Sequence, residues 1–178
     1  MKAQEFLQLL EKENINIDDL STLVVDTLSK KSLKIATAES CTGGMISSRI
    51  TDISGSSAVF DCGVCTYANH IKHSVLSVKD ETLSTYGAVS EKTAMEMARG
   101  VRLLSNADIA VSTTGIAGPF GGSQYKPVGL VYIGISTKDK LLAHKVLLSE
   151  GKDPQRSRIR ELATACALYF ALKEIDEI

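Results

Sequence analysis

The sequence predicts an α/β protein in which helices cover both faces of one mixed β-sheet. Three observations support this fold class. Apolar segments of strand length alternate with segments of helical periodicity, and turns rich in Gly and Ser separate them. The last two strands are joined by a few polar residues, which favours an antiparallel hairpin. The chain has 178 residues, 44% of them hydrophobic, which suits one three-layer domain.

The predicted elements follow one another along the whole chain. Residues 3–13 and 17–30 read as two amphipathic helices, and together they make up an N-terminal helical segment, residues 1–30. We expect this segment to belong to a single domain spanning residues 1–178 and to offer a spare apolar face to a second copy. The later elements are, in order, strand 33–38, helix 45–51, strand 59–68, helix 69–76, helix 91–104, strands 108–114, 130–136 and 141–148, and helix 155–174.

The composition excludes several classes of protein. The 20 basic and 21 acidic residues give a net charge of -1, so the chain lacks the overall positive charge that attracts nucleic acids or anionic membranes. Charges interrupt the apolar residues at the N-terminus, and no apolar run approaches the roughly 18 residues that span a bilayer. We therefore expect a cytoplasmic protein with no nucleic-acid or membrane partner.

The four cysteines are too few to indicate a disulfide scaffold. Cys62 and Cys65 form a CxxC pair, which is typical of zinc or redox sites. A zinc site needs a second pair of ligands, and Cys41 and Cys166 are isolated in the sequence. We therefore interpret the CxxC pair as strand residues and predict no metal, with metal or redox chemistry as the alternative.

A turn with the sequence Ser-Cys-Thr-Gly-Gly, residues 40–44, joins the first predicted strand to a helix. Backbone N–H groups at a helix N-terminus, together with the hydroxyls of Ser40 and Thr42, favour the binding of a phosphate or carboxylate. The turn lacks the complete P-loop and dinucleotide-binding patterns. The alternative is that Gly43 and Gly44 only allow a tight turn.

Two later features also suggest ligand binding. The glycine-rich loop 115–129 follows strand 108–114, and ligands of open α/β sheets bind at the carboxyl ends of strands. The last helix begins with Arg156, Arg158 and Arg160, whose charges oppose the helix dipole. One of these arginines is therefore a candidate phosphate ligand, and a solvated basic face is the alternative.

The residues Ser57, Tyr67 and Lys72 suggest nucleophilic catalysis. A serine hydroxyl needs a base, and a lysine can serve if burial keeps its amine neutral. Tyr67 would then orient the amine or relay a proton. On chemistry alone the alternatives are a serine that caps a turn, a tyrosine in the core and a solvated lysine.

Six motifs, taken in order, resemble those of the CinA C-terminal domain family, and the resemblance covers about residues 20–175. The motifs are 37–44 (TAESCTGG), 51–57 (TDISGSS), Thr66-Tyr67 with Asn69 and Lys72, 87–90 (GAVS), 115–122 (GIAGPFGG) and 126–129 (KPVG). The resemblance implies an amidase that hydrolyses nicotinamide mononucleotide to nicotinic acid mononucleotide and ammonia, without a metal or another cofactor.

The resemblance also implies roles for individual residues. It makes Ser57 the nucleophile, Lys72 the base and Tyr67 the assisting group, with oxyanion donors expected among the backbone N–H groups near Ser57. Thr114 and Arg156 match substrate-binding positions. The remaining predicted substrate-binding residues come from the two glycine-containing turns and are Ser40, Thr42, Gly43 and Gly115.

The sequence departs from the family pattern at several positions, so we expect a difference in rate or substrate preference. Many relatives carry a separate N-terminal domain linked to nucleotide pyrophosphatase activity, and none fits in residues 1–30, so we expect no such activity. The resemblance further implies a homo-oligomer, which we expect to be a dimer. The alternative function is a non-catalytic nucleotide-binding or interaction module linked to competence and damage responses. The departures lie at Asp61, Cys62, Ala68, His70 and the loop 151–156.

Overall fold

Five strands form one mixed sheet in the computed structural model of the chain, which describes residues 1–150 and 155–178. The strands are β1 (Ile35–Glu39), β2 (Phe60–Cys65), β3 (Ile109–Gly115), β4 (Leu130–Ser136) and β5 (Leu141–Leu147). Their order across the sheet is β2-β1-β3-β4-β5. The strand β1 runs parallel to β2 and β3, whereas β4 is antiparallel to both β3 and β5. The predicted mixed sheet with a terminal hairpin is confirmed.

Seven α-helices lie within the described residues. They are α1 (Ala3–Lys12), α2 (Leu20–Lys31), α3 (Met45–Thr51), α4 (Asn69–Leu76), α5 (Asp80–Tyr86), α6 (Glu91–Ser105) and α7 (Arg156–Glu177). Helix α5 was not predicted, because seven residues with few apolar positions carry little periodic signal. The expected helix 17–30 is a 3₁₀ turn, Ile17–Asp19, that continues into α2.

The helices cover both faces of the sheet, so the predicted three-layer arrangement is confirmed. Helices α1, α2, α3 and α7 enclose the larger apolar core with one face of the sheet, and α4, α5 and α6 cover the other face. Strand β3 shows the alternation that this requires, since Ile109 and Val111 join the larger core while Ala110 joins the smaller one. No helix within the described residues is both long enough and apolar enough to cross a bilayer.

The apolar side chains of the N-terminal helices are used inside the chain. Phe6, Leu10, Val24 and Leu28 are all buried, and the Phe6 ring packs edge-on against Tyr169 of α7 with 5.7 Å between ring centroids. Most of the expected apolar face is thus used inside the chain, with Leu23 of α2 exposed, and self-association through this segment stays a prediction. The segment completes the larger core over α7.

Candidate active site

The carboxyl ends of the three parallel strands meet at one edge of the sheet and bring the reactive side chains together. Ser40 follows β1, Thr66 follows β2, and the glycine-rich loop follows β3. Helix α4 begins close behind β2 and directs Lys72 towards the same edge. This is the position at which open α/β sheets bind their ligands.

The side chain of Lys72 is enclosed and has a defined set of partners. It is only 1% exposed. Its Nζ donates hydrogen bonds to the carbonyl oxygens of Thr66 at 2.7 Å and Tyr67 at 3.1 Å, and it lies 3.1 Å from Oγ of Ser40. A neutral amine has two N–H groups and one lone pair. The two carbonyl groups can take both N–H groups, and this leaves the lone pair directed at the Ser40 hydroxyl.

Burial also favours the neutral amine. Loss of solvation lowers the pKa of Lys72 from its ordinary range. Ser40 is itself 9% exposed, so the two groups meet away from bulk water. The structure thus pairs a serine hydroxyl with a lysine whose pKa is lowered by burial, which is what a serine/lysine pair requires.

The structure does not bring Ser57 to this site. Ser57 lies in the 3₁₀ turn Ser56–Ala58 before β2, where the carbonyl of Val59 accepts a hydrogen bond from the N–H of Ile35 at the start of β1. Lys72 lies beyond the other end of β2. Six strand residues at about 3.3 Å each separate the two positions by roughly 20 Å. The expected convergence of Ser57 with Lys72 is therefore wrong, and Ser40 occupies the place beside the amine.

The turn after β1 is organised around a buried carboxylate. Glu39 is fully buried, and its two oxygens accept hydrogen bonds from the N–H groups of Gly44, Ile46 and Ser47 and from the Ser47 hydroxyl, at 2.8 to 3.1 Å. These are the N–H groups at the start of α3. The chain's own carboxylate thus occupies the anion position that the sequence predicted for a ligand.

Further contacts fix the residues between Ser40 and α3. Arg160 of α7 donates from Nε to the carbonyl oxygen of Cys41 at 3.1 Å and from Nη2 to that of Thr42 at 2.7 Å. The Thr42 hydroxyl is buried and bonded to that of Thr113 at 2.6 Å. Gly43 adopts a positive φ of 61° and stays exposed. Of the residues predicted to bind substrate in this turn, Thr42 has its hydroxyl bonded to Thr113, whereas Gly43 is exposed to solvent.

Thr114 lies beside Ser40 on the neighbouring strand. The last register pair between β1 and β3 is Glu39 with Thr113, and the N–H of Ser40 donates to the Thr113 carbonyl at 3.0 Å, so the next pair is Ser40 with Thr114. The Thr114 hydroxyl is buried and donates its proton to the carbonyl of Ala88 at 2.7 Å. It therefore keeps only acceptor capacity towards the site.

A pocket of about 220 Å³ opens next to the Ser40 turn. Arg156 crosses it, donating to the Gly118 carbonyl oxygen at 2.7 Å and to the Tyr67 hydroxyl at 3.2 Å. The Tyr67 ring is 66% exposed. Arg156 and Gly115, which the sequence predicts to bind substrate, thus line one cavity, and the hydroxyl of Tyr67, the predicted assisting group, contacts Arg156 rather than the Lys72 amine. The full lining is Cys41, Tyr67, Gly115, Ile116, Ala117, Gly118, Phe120, Gly121 and Arg156.

The cysteines of the CxxC pair lie on opposite faces of β2, and Cys41 lies beside Ser40. Cys62 is half-buried against the smaller core, whereas Cys65 is exposed, because residues three apart on a strand point to opposite faces. No group of three potential metal ligands occurs among the described residues. Burial raises the pKa of the Cys41 thiol to about 12, so this neighbour of Ser40 stays protonated at neutral pH.

Comparison with known proteins agrees with the motif order. The profile described as the CinA C-terminal domain matches residues 17–175. The chain belongs to the CinA C-terminal domain family. A putative competence-damage inducible protein of Caldanaerobacter subterraneus subsp. tengcongensis is 49% identical over 144 residues, covering 81% of this chain and 35% of that protein. A CinA-like protein of Kosmotoga olearia is 47% identical over 158 residues, covering 89% and 37%. This CinA domain thus spans about a third of the length of those relatives.

Solved structures of the CinA superfamily share the fold. The competence/damage inducible protein CihA of Agrobacterium tumefaciens superposes with a TM-score of 0.84 at 42% identity, covering 90% of this chain and 95% of that one. A competence-damaged protein (CinA) superfamily protein of Klebsiella pneumoniae superposes with a TM-score of 0.85 at 29% identity, covering 92% and 99%. The segment 151–154, part of a predicted departure from the family pattern, lies outside the described residues.

Proposed function

We propose that this CinA domain hydrolyses the carboxamide of nicotinamide mononucleotide to nicotinic acid mononucleotide and ammonia. The observation that carries the proposal is the contact between Ser40 Oγ and the enclosed Lys72 amine, whose two other partners are carbonyl oxygens. The resemblance to the family supplies the substrate. The geometry supports Ser40 rather than Ser57 as the nucleophile of this proposal.

Acylation begins with attack of Ser40 Oγ on the carboxamide carbon. The neutral Lys72 amine accepts the hydroxyl proton as the O–C bond forms, which gives a tetrahedral intermediate and an ammonium group. The ammonium then returns a proton to the amide nitrogen. The C–N bond breaks, ammonia leaves, and the acyl group remains on Ser40 as an ester.

Deacylation repeats the same proton transfers with water. Lys72, neutral again, accepts a proton from a water molecule as its oxygen attacks the ester carbon. The protonated amine then returns that proton to Ser40 Oγ as the ester bond breaks, and this restores the serine and releases the acid. No metal or other cofactor is required for this balance of atoms and charges.

The negative charge on the tetrahedral oxygen needs hydrogen-bond donors. Because Glu39 occupies N–H groups of Gly44, Ile46 and Ser47, the donors come from the turn before them, residues 41–43. Arg160 fixes the carbonyl groups of this turn and thereby sets the direction of its N–H groups. The proposal therefore assigns the oxyanion donors to backbone N–H groups near Ser40, whereas the sequence led us to expect them near Ser57.

The pocket beside this turn suits part of the nucleotide. Sites for whole drug-sized ligands measure about 300–1,000 Å³, so a cavity of about 220 Å³ holds one portion of the substrate. Among the described residues, the hydrogen-bond acceptors of Arg156 are neutral oxygen atoms. A phosphate would make a stronger, charge-assisted bond, so Arg156 is our candidate for binding the substrate phosphate.

Release of ammonia from nicotinamide mononucleotide by the purified protein tests this function. We expect stoichiometric ammonia and nicotinic acid mononucleotide from the wild type. Lys72→Met should reduce kcat by at least about 10²-fold, because it removes the base while keeping an unbranched side chain in the enclosure. The matched control is Lys79→Met, at an exposed lysine, with near wild-type activity expected.

A different outcome favours the second candidate function. The relatives bear names that refer to competence and damage induction, which fits a non-catalytic nucleotide-binding or interaction module. Binding of nicotinamide mononucleotide without release of ammonia would support that module and overturn the amidase proposal. Full turnover by Lys72→Met would remove Lys72 from the mechanism.

A further inference from the structure

Thr66 carries a buried hydroxyl that has no hydrogen-bond partner among the described residues. The residue is only 1% exposed. Buried hydroxyl groups are normally bonded, so an isolated one calls for a physical reason. The other such atom in the described chain, Oε2 of Glu13, has an ionic partner, since it lies 2.7 Å from Nζ of Lys173.

The sheet register places Thr66 beside Ser40. The last pair between β1 and β2 is Glu39 with Cys65, and the N–H of Thr66 donates to the Glu39 carbonyl at 2.9 Å, so Thr66 is the next neighbour of Ser40. Side chains alternate along a strand, and Cys62 and Val64 pack on the α4 side. Thr66 therefore directs its side chain towards the face from which Lys72 enters.

The same residue already binds the catalytic amine through its backbone. Nζ of Lys72 donates to the Thr66 carbonyl at 2.7 Å. A protonated amine has three N–H groups and needs three acceptors. The carbonyl groups of Thr66 and Tyr67 supply two. Ser40 Oγ supplies the third, and it becomes a weaker and more crowded acceptor once that oxygen is bonded to the substrate carbon.

No nearby charge replaces the third acceptor. Among the described residues no carboxylate forms an ion pair with Lys72, and Glu39 bonds to the start of α3. Cys41 is a neutral thiol, because burial raises its pKa. The Thr66 hydroxyl is an uncommitted acceptor on a residue that Nζ already touches.

We propose that the Thr66 hydroxyl is a reserve hydrogen-bond acceptor for protonated Lys72, used when Ser40 Oγ is bonded to the substrate carbon. Thr66 is thus a positioning residue that acts through the lysine. Its hydroxyl stabilises the ammonium in both tetrahedral intermediates. The catalytic part of this inference rests on the proposed amidase function, whereas the contact itself can be tested without a substrate.

The substrate-free test uses Ser40→Ala, which removes the third acceptor permanently. The pKa of Lys72 would be measured by ¹⁵N NMR titration of Nζ in Ser40→Ala and in Ser40→Ala/Thr66→Val. We expect the double variant to have a pKa lower by about one unit or more, because its ammonium has only two acceptors. Equal pKa values in the two proteins would overturn the reserve contact, whatever reaction the protein catalyses.

The kinetic test uses Thr66→Val and Thr66→Ser. The valine variant should lower kcat about tenfold with KM unchanged, and serine, which keeps the hydroxyl, should restore the rate. The thermal midpoint of Thr66→Val should not fall, because the Thr66 hydroxyl has no hydrogen bond among the described residues to lose. The control Thr82→Val removes a buried hydroxyl bonded to Glu96 at 2.7 Å, and should lower the midpoint while leaving kcat unchanged.

The outcomes separate the two proposals. Wild-type kcat in Thr66→Val, or a low kcat that serine does not restore, would overturn the role of Thr66 while the amidase function stands. Absence of ammonia release by the wild type would overturn the amidase function, and the NMR comparison would still decide the contact.

Discussion

At the level of single residues, the chemistry depends on how Lys72 is enclosed. A lysine amine is ordinarily protonated up to a pH of about 10.4, and in that form it has no lone pair to accept the serine proton. The structure opposes protonation by excluding water, and it directs the two N–H groups to the carbonyl oxygens of Thr66 and Tyr67. Burial and hydrogen-bond direction together make Ser40 the natural proton donor.

The pH dependence of the reaction follows from the lowered pKa of Lys72. Because the neutral amine is the active form, kcat/KM should rise with pH, reach half its maximum at the pKa of Lys72 in the free enzyme and level off above that pH. The midpoint should lie below the ordinary value of about 10.4. The measurement is kcat/KM for nicotinamide mononucleotide between pH 6 and pH 10. A kcat/KM that shows no levelling up to pH 10 would contradict the enclosure argument, because its midpoint would then lie near the ordinary value of about 10.4.

The same shift affects stability. The unfolded chain binds more protons than the folded one between the folded pKa and about 10.4, so the free energy of unfolding contributed by Lys72 rises with pH across that window. Urea unfolding of wild type and Lys72→Met should show the wild type gaining stability relative to the variant as pH increases. A difference that stays constant or falls would mean that the pKa is not lowered.

At the level of elements, the turn between β1 and α3 holds Ser40 in place. Glu39→Gln replaces one acceptor oxygen with an NH₂ group that faces N–H donors at the start of α3. We expect a loss of about 2–3 kcal/mol in the free energy of unfolding, measured in urea. Glu81→Gln, at an exposed position on α5, is the control and should stay within about 0.5 kcal/mol. Equal stability of the two variants would contradict the capping role.

The contact between α4 and α6 holds Lys72 in place. A Cβ atom at Gly100 of α6 would overlap the carbonyl oxygen of Leu76, one turn beyond Lys72 on α4. Gly100→Ala should therefore destabilise the protein by about 1–3 kcal/mol and lower kcat by displacing the amine. Arg99→Ala, at an exposed neighbour, is the control for thermal unfolding and turnover. Wild-type turnover in Gly100→Ala would show that α4 does not need this close approach.

At the level of the whole molecule, most of the architecture could be predicted from the sequence. Periodicity marks the five strands and the longer helices, because each buries one face of a continuous core. Helix α5 could not be found this way, since it is short and mostly exposed. The packing of α1 and α2 on α7 joins residues that are far apart in sequence, so no local pattern revealed it. The dimer expected from the family resemblance stays a prediction.

The site was only partly predictable. Lys72, Arg156 and Gly115 lie at one edge of the sheet, as the motifs suggested, but Ser57 lies away from them and Ser40 stands beside the Lys72 amine. The order of the residues along the chain could have shown this separation. Ser57 precedes β2 and Lys72 follows it, so the two residues lie at opposite ends of one strand. Ser40 follows a parallel strand at the end where ligands bind. The bonding of Glu39 to the N–H groups at the start of α3 could not be predicted, because it depends on how the turn folds back in three dimensions.

The central claim is that Ser40 is the nucleophile. A direct comparison of ammonia release from nicotinamide mononucleotide by Ser40→Ala and Ser57→Ala tests it, with both proteins checked for wild-type thermal unfolding. Removal of a serine nucleophile typically costs a factor of about 10³ or more, so Ser40→Ala should show almost no turnover. Ser57→Ala, at an exposed turn far from Lys72, should be close to wild type. Near-normal turnover by Ser40→Ala together with loss of turnover in Ser57→Ala would contradict the account.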